Sequence, residues 1–402
     1  MRYIGCSLIL ILIAALPLFP RQHDHGQMTA ADGQFNPSVI DDGHDGFYLA
    51  FVERRNGRSD IMLRHSADGK TFSDAVRVND IPGDAVVRNE NPPKLAIAPN
   101  GDLYICWANE SGKWKGNIHF ARSTDNGKSF SRTLTLNSDA DLGPVGHAFQ
   151  SVAVDKKGVV YVAWIDERDK ASDDRGAEIW MATSNDGGRS FSHDRKVLSD
   201  VCECCRTNLQ TDGEGRLFLS YRTVPATGPM FRDIILARSS DGGRHFEQTV
   251  VSHDGWELNA CPVVGATVTT NLNGKITVVW FTGGKETGLY YATSVDHGIS
   301  FSSRSPLDPA HSLAKHAQTV ATAGDNVLVA FDITGEKPES VWAMLNMQTG
   351  KMSSYGKAQN ISYPSIATNG RVAVVSGMQP GNLEIYLQVF EVKDTAATPK
   401  AN

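Results

Sequence analysis

A short pattern, Ser-x-Asp-x-Gly-x-Ser/Thr/His-Phe, recurs along this chain at a nearly constant spacing and constrains its fold more than any other feature. The clear copies are STDNGKSF, SNDGGRSF, SSDGGRHF and SVDHGISF, which end at Phe130, Phe191, Phe246 and Phe301. A shifted copy, SADGKTF, begins at Ser66, and a weakened copy, NMQTGKMS, begins at Asn346. The motif glycines lie at positions 69, 127, 188, 243, 298 and 350, so consecutive copies are 52 to 61 residues apart. Repetition at this period predicts a propeller or another repeat array.

The residue types of the repeat indicate a structural role. Glycine permits the positive φ of a tight hairpin turn, and the Asp carboxylate can accept hydrogen bonds from backbone amides inside that turn. The Phe is expected to pack inward and to fix the hairpin to its sheet. We therefore interpret each copy as a fold staple and do not count the motif aspartates among the acid–base candidates. These aspartates are Asp125, Asp186, Asp241 and Asp296.

The pattern resembles the Asp box of the sialidase-like superfamily, and the resemblance extends over about residues 35 to 393. It implies an all-β propeller of four-stranded antiparallel blades. The sequence between the boxes agrees, because each unit carries an apolar run that ends in an aromatic residue, such as DLYICW or KITVVW. Short β-rich runs separated by Gly, Asp and Asn turns predict a meander of four strands, which is one propeller blade.

The number of blades follows from counting strand units. Seven units carry the apolar run, against six boxes, and the seventh unit ends after its third strand. This favours seven blades, with the six blades of sialidases as the alternative. Residues 21–34 are predicted to be a linker and a candidate closing strand for the last blade, which would leave no open sheet edge. Residues 35–393 would form the propeller, and residues 394–402 a disordered tail.

The composition and the N-terminal segment limit which cellular compartment and which partners are expected. The formal net charge is −6 and no Lys/Arg-rich block occurs, so a nucleic-acid partner is not expected. Residues 1–20 combine one basic residue with an apolar run, which indicates a secretory signal or, alternatively, an uncleaved N-terminal anchor. We therefore expect a secreted or periplasmic protein with no membrane contact beyond this segment.

A site is expected on one face of the propeller. The segments that lead into first strands and those that follow second strands share a face, whereas the Asp boxes lie on the opposite face. Loops held around the axis by rigid strands are the usual place for function. The candidate substrate-binding residues on that face are Glu53, Arg54, His147, Arg206, Arg222 and His316.

The resemblance to sialidases also suggests catalytic candidates. Sialidase chemistry uses three arginines on the substrate carboxylate, a Tyr nucleophile with a Glu partner, and an Asp acid–base. On that basis Tyr363 is matched to the nucleophile, Glu257 to its partner and Asp60 to the acid. The family's first arginine, in a Phe-Arg-Ile-Pro segment, is replaced by Asn36 after Phe35. The incomplete carboxylate clamp argues against sialidase turnover.

Four cysteines form the least repeat-like feature. Cys202, Cys204 and Cys205 lie at the start of the fourth unit, and Cys261 lies at the start of the fifth. In an exported protein they would make two disulfides, one of them joining blades four and five, with three pairings open. A metal site using these thiolates, with or without His147 and His316, is the alternative. We expect no cofactor.

Together these features predict an exported propeller that binds or processes an extracellular carbohydrate or glycoconjugate. Two alternatives remain open. One is a non-enzymatic propeller scaffold that binds a protein or a metal. The other is an active exo-sialidase, a glycoside hydrolase.

Overall fold

The structure is a computed structural model. It describes residues 31–110, 115–141, 145–170, 175–271, 273–308, 310, 312–321, 326–335, 337–379 and 384–393. Throughout these residues the regular secondary structure is β-strand, arranged in seven antiparallel sheets whose strands follow one another in chain order. The predicted all-β propeller is confirmed, and seven blades rather than six are present.

The first four blades each contain four strands. Blade one has β1 (Gly33–Asp41), β2 (Phe47–Arg55), β3 (Arg58–Ser66) and β4 (Val76–Arg77). Blade two has β5 (Lys94–Ile97), β6 (Leu103–Ala108), β7 (Ile118–Ser123) and β8 (Leu134–Thr135). Blade three has β9 (His147–Val154), β10 (Val160–Asp166), β11 (Ala177–Ser184) and β12 (Arg195–Val201). Blade four has β13 (Asn208–Thr211), β14 (Leu217–Arg222), β15 (Ile234–Ser239) and β16 (Glu247–Ser252).

The last three blades continue the same order. Blade five has β17 (Thr267–Thr270), β18 (Ile276–Thr282), β19 (Gly288–Ser294) and β20 (Ser305–Pro306). Blade six has β21 (Ala314–Ala321), β22 (Val327–Ile333), β23 (Glu339–Leu345) and β24 (Met352–Gln359). Blade seven has β25 (Ser362–Thr368), β26 (Val372–Met378) and β27 (Ile385–Glu391). The first strand of every blade lines a central channel.

The apolar runs identified in the sequence are the second strands, and they form the core between neighbouring blades. Trp107, Trp164 and Trp280, which end three of these runs, are at most 1% exposed. Each packs in a cluster that joins residues of two consecutive blades. Both faces of a second strand are covered by adjacent sheets, so these strands are continuously apolar rather than alternating.

The Asp boxes are the staples that the sequence predicts. In STDNGKSF the Asp125 carboxylate accepts hydrogen bonds from the backbone N–H and the hydroxyl of Ser129, at 2.9 and 2.6 Å. Gly127 has a φ of +77°, and a Cβ there would lie 2.6 Å from Cδ2 of Leu63 in the preceding blade. Phe130 packs against the core shared by blades one and two. Each box therefore joins its own hairpin to the blade before it.

Blade seven closes the ring by packing against blade one. The backbone N–H of Val39 donates to the Ser365 hydroxyl at 3.1 Å, and apolar side chains of both blades share one core. Gly33 and Gln34, which we expected in a linker or a closing strand, instead begin β1 and pair with β2. The remainder of that prediction (21–30) lies outside the described residues, as do the predicted signal or anchor (1–20) and the tail (394–402). In the part of the chain that is described, no helix is long and apolar enough to cross a membrane.

Candidate functional site

The innermost strands share an unusual backbone at the point where they begin. The register of pairing shifts within β1, β9, β21 and β25 near their first residues, as in a β-bulge. A non-glycine residue with positive φ stands at or just before the first strand in six of the seven blades. These six residues, here called the bulge ring, are Asn36, Glu90, Phe149, Val263, His316 and Tyr363. Bulges re-aim side chains and left-handed backbone is costly, so both concentrate at functional sites.

A buried ion pair connects several blades at this ring. The guanidinium of Arg206 lies 2.9 Å from the Glu90 carboxylate, and both side chains are nearly inaccessible to solvent. Arg206 also donates to the carbonyl of Ala317, and the backbone N–H of Gly265 donates to Glu90 at 3.3 Å. A Cβ on Gly265 would lie 2.3 Å from Cγ of Arg206, so only glycine allows the arginine to pass. The pair holds blades two, four, five and six in one arrangement.

A histidine, an aspartate and a tyrosine lie beside this pair. Nδ1 of His316 is 2.8 Å from the Asp332 carboxylate, which also accepts from the backbone N–H of Tyr363 at 3.0 Å. The rings of His316 and Tyr363 are 4.5 Å apart between centroids. Among the described residues, neither Nε2 of His316 nor the phenol oxygen of Tyr363 has a hydrogen-bond partner. The arrangement leaves two proton-transfer groups unused and next to each other.

Burial and charge set the protonation of these groups. Burial alone would lower the pKa of His316, but the charges of Asp332 and Glu90 outweigh it and the pKa is raised. Burial raises the pKa of Tyr363 well above its ordinary value, and Glu90 and Asp332 add to this. Tyr363 is therefore protonated at neutral pH. Perturbed acids and bases gathered at one opening are characteristic of functional sites.

Lys94 extends the group into the central channel. The channel has a cavity volume of about 630 Å³ and is lined by the seven innermost strands, which contribute Ser, Thr, Asn and Gln side chains as well as apolar ones. Burial lowers the pKa of Lys94 to about 8, and the charge of Arg206 contributes to the shift. A smaller pocket at the channel mouth is lined by Asn36, Glu90, Lys94, Arg206, Gln318 and Tyr363, among others. We call Glu90, Lys94, Arg206, His316, Asp332 and Tyr363 the axial cluster.

Comparison with known protein families agrees with this architecture. A family model described as a BNR repeat-like domain matches residues 46–374, which is most of the chain. The chain belongs to the BNR repeat-like domain family. The resemblance of its boxes to those of sialidase-like propellers is thereby confirmed. No curated protein matches the sequence.

Several solved propellers are similar to this BNR repeat-like protein in fold. An ulvan lyase, solved with a GlcA(1-4)Rha3S saccharide, has a TM-score of 0.58 at 12% identity, covering 90% of this chain and 94% of its own. A leech intramolecular trans-sialidase has a TM-score of 0.52 at 10% identity, covering 86% and 83%. An α-L-arabinanase from Penicillium chrysogenum has a TM-score of 0.51 at 16% identity, covering 76% and 94%. One fold thus carries several chemistries, and function has to be argued from the site.

Three of the residues predicted from the sequence of this BNR repeat-like protein come together. Arg206, His316 and Tyr363 all belong to the axial cluster. The sequence reasoning missed Glu90, Lys94 and Asp332. A signal for Glu90 exists, because it precedes Asn91-Pro92 where Asn36 and Tyr363 precede Pro37 and Pro364. Superposing the strand starts would have identified Glu90, whereas Asp332 lies at the end of a second strand with no motif around it.

Arg222 does not face the channel mouth. Its guanidinium donates to the carbonyls of Val264, Arg232 and Phe281 at 3.1, 2.6 and 2.8 Å, and it is fully buried. It therefore braces blade four against blade five instead of assisting Arg206. Glu53 pairs with the exposed Arg55 at 2.9 Å.

The remaining acidic and basic candidates are also separate from the axial cluster. Arg54 pairs with Ser59 in the β2–β3 hairpin. Asp60 accepts hydrogen bonds from the Asn79 amide and from the backbone N–H of Gly83, so it stabilises the loop. Glu257 is exposed, and no hydrogen bond or ion pair joins it to Tyr363 within the described ranges. Glu90 and Asp332 are the carboxylates that, together with burial, raise the pKa of Tyr363, and the Tyr363–Glu257 pairing stays a prediction.

His147 belongs to a second buried charge cluster. Its Nδ1 is 2.6 Å from the Gly116 carbonyl, and its Nε2 lies 3.1 Å from Asp139 and 3.3 Å from Asp166. These three side chains could offer ligand atoms to a metal ion. The Arg168 guanidinium already contacts Asp166 at 2.7 Å and Asp139 at 3.4 Å. The positive charge required by these carboxylates is therefore supplied by the chain itself.

The cysteines are paired in part as predicted. Cys204 and Cys261 form a disulfide that joins blade four to blade five, which confirms the predicted bridge. Cys202 and Cys205 are thiols in this structure instead of a second disulfide. Cys106 is a buried core thiol.

Proposed function

We propose that this protein binds an acidic carbohydrate at the channel mouth and processes it by proton transfer from His316 and Tyr363, after export from the cytoplasm. The observation that carries the proposal is the convergence of two unused proton-transfer groups with two cations at one opening of the axis. Arg206 and Lys94 would receive a carboxylate or sulfate of the sugar, and the polar channel wall would meet its hydroxyls. That several carbohydrate-active propellers share the fold supports the substrate class by analogy only.

The arrangement of the axial cluster suggests which role each residue would have in the reaction. Asp332 fixes Nδ1 of His316, so Nε2 is the atom that exchanges a proton with the sugar. Tyr363 keeps its proton at neutral pH and is suited to donate it to a leaving oxygen. Glu90 holds the Arg206 guanidinium in place beside the small pocket that Arg206 lines. These roles require no metal or cofactor.

The test is a binding and turnover screen of the purified mature protein against matched oligosaccharides. Uronate-containing, sulfated and sialylated sugars are compared with neutral arabinan and cello-oligosaccharides by calorimetry and by product analysis. We expect acidic sugars to bind and His316→Gln and Tyr363→Phe to lose turnover while remaining folded. Arg54→Gln and Glu257→Gln, which alter charged residues outside the axial cluster, are the matched controls.

The screen also separates the alternatives. A fluorogenic sialoside should release little product, because Arg206 is the one guanidinium in the axial cluster and a sialidase clamp needs three. Robust release that Tyr363→Phe abolishes would instead establish the exo-sialidase. Binding of neutral sugars with equal affinity, or no sugar binding, would refute the proposal and favour a protein-binding scaffold.

A further inference from the structure

Four sulfur atoms meet between blades four and five, in the segments that lead into the first strands of these blades. Sγ of Cys202 lies 3.1 Å from Sγ of Cys205 and 3.6 Å from Sγ of Cys204. Cys204 is bonded to Cys261. Cys202 and Cys205 are fully buried, whereas Cys261 is partly exposed. A Cys-x-x-Cys dithiol therefore lies in contact with a disulfide that has one partly exposed residue, Cys261.

Two buried guanidiniums surround these sulfurs without carboxylate partners. Arg222 donates to three backbone carbonyls, and Arg232 donates to the carbonyls of Leu258 and Ala260 at 2.9 and 2.8 Å. Nη1 of Arg232 is buried and unpaired. Among the described residues no carboxylate forms an ion pair with either arginine. Buried charges need compensation, and a thiolate is the anion that this environment can supply.

The hydrogen bonding selects the sulfur that carries the negative charge. Burial raises the pKa of Cys202 well above its ordinary value, and the bond to Cys205 adds to this. Burial acts in the same direction on Cys205, but the thiol of Cys202, the charge of Arg222 and a backbone bond at Val264 outweigh it, so its pKa is lowered. Cys202 is thus the thiol that donates, and Cys205 is the acceptor and the sulfur that loses its proton more readily.

We propose that this sulfur cluster is a thiol–disulfide exchange centre that releases Cys261 as a reactive surface thiolate. Cys202 passes its proton to Cys205, and the Cys202 thiolate attacks Sγ of Cys204. The Cys202–Cys204 bond forms, the Cys204–Cys261 bond breaks, and Cys261 leaves as the thiolate.

A second exchange completes the sequence. Cys205 attacks Sγ of Cys202 and forms the Cys202–Cys205 disulfide, while Cys204 leaves and takes the proton that Cys205 held. Two electrons have moved from one cysteine pair to the other, and neither charge nor proton count has changed. The Cys261 thiolate can then attack a low-molecular-weight disulfide, forming a mixed disulfide and expelling one thiolate. The bridge between blades four and five is open in this state.

The experiment uses glutathione disulfide as the probe on the whole purified protein. After incubation, free thiols are alkylated in denaturant and tryptic peptides are mapped by mass spectrometry. Peptide 197–206 contains Cys202, Cys204 and Cys205, and peptide 245–275 contains Cys261. We expect glutathione on peptide 245–275 together with an internal disulfide in peptide 197–206. Cys202→Ser should lose the glutathione adduct, because the first attack needs that sulfur, and Cys106→Ser should keep it.

Each other result overturns the proposal. Both disulfides present together, without an adduct, would make the cluster a purely structural double bridge. An unchanged Cys204–Cys261 bridge with two inert thiols would show that exchange does not occur. An adduct of equal yield in Cys202→Ser would mean that a thiol other than Cys202 opens the Cys204–Cys261 bridge. A stoichiometric metal in the protein as purified would assign the sulfurs to that metal. Peptide mapping of the wild-type protein alone distinguishes the first two results. The proposal can therefore be tested even if a variant fails to fold.

Discussion

Two buried histidines in this propeller have similar carboxylate neighbours but differ in whether a ring nitrogen is left without a partner. His316 has one nitrogen bound by Asp332, and its other nitrogen is unpartnered in the described part of the chain. His147 has Nδ1 bound to a carbonyl and Nε2 between Asp139 and Asp166. In both, burial lowers the pKa but the carboxylates raise it by a larger amount.

The difference is the position of the nearest arginine. Arg168 inserts between Asp139, Asp166 and Asp194, and its guanidinium stacks 3.8 Å above the Trp180 ring. Arg206 is held by Glu90, and His316 lies next to Tyr363, which lines the pocket at the channel mouth. A histidine enclosed by its counter-charges can only hold the fold, whereas one with a free nitrogen at an opening can transfer a proton. The same residue types therefore support two functions.

The largest effect is expected from removing the enclosing cation. Arg168→Ala leaves three buried carboxylates short of one positive charge, which should cost about 3–5 kcal/mol of unfolding free energy. Denaturant titration measures the loss. Arg168→Lys should recover part of it, and carbohydrate binding by the folded fraction should be unchanged. A loss no greater than that of the control Arg54→Ala would contradict the assignment of Arg168.

A smaller loss of unfolding free energy is expected when the Glu90–Arg206 pair of the axial cluster is disrupted. Glu90→Gln keeps the shape but removes the charge that Arg206 and the N–H of Gly265 contact, so we expect a cost of about 1.5–3 kcal/mol. Unlike Arg168→Ala, this variant should also lose affinity for the acidic ligand, because Arg206 is no longer positioned. Calorimetry and denaturant titration on one sample separate the two effects. Normal affinity in Glu90→Gln would exclude Arg206 from the binding site.

The sequence predicted the fold well because the repeat is local. Ser123, Asp125 and Gly127 make their turn with neighbours a few residues away, so a short motif contains the contacts that form the turn. The axial cluster is different, since Glu90 and Arg206 come from blades separated by more than one hundred residues. Their meeting depends on ring closure, and no spacing rule encodes it.

The same reasoning explains the other mismatches. Arg222 and Arg206 both stand at blade-four strand ends, and the sequence cannot show that the former turns toward backbone carbonyls. The pairing of Cys204 with Cys261 was one of several open choices that geometry decided.

Substitutions of the two histidines should also differ in how they change the pH dependence of stability and of turnover. A folded pKa raised above about 6.5 gives stability that is full below that value and is lost as the pH rises through the folded pKa. Wild-type unfolding free energy should therefore fall as the pH rises from mildly acidic into the alkaline range. His147→Gln should flatten this fall without moving the pH profile of binding or turnover. His316→Gln should flatten it and remove turnover. An unaltered stability profile in His147→Gln would show that this histidine gains no charge on folding.

The smallest change in stability is expected from Tyr363→Phe, and it isolates chemistry from packing most cleanly. The phenol oxygen has no hydrogen-bond partner in the described ranges, so its removal should alter the unfolding free energy by less than about 1 kcal/mol. The ring remains to pack on His316. The matched control is Tyr161→Phe, because the Tyr161 hydroxyl donates to Asp155 at 3.2 Å inside blade three. The control should be the less stable of the two and should keep full turnover, whereas Tyr363→Phe should be stable and inactive. The reverse pattern would mean that Tyr363 supports the fold and that proton donation comes from another group of the axial cluster.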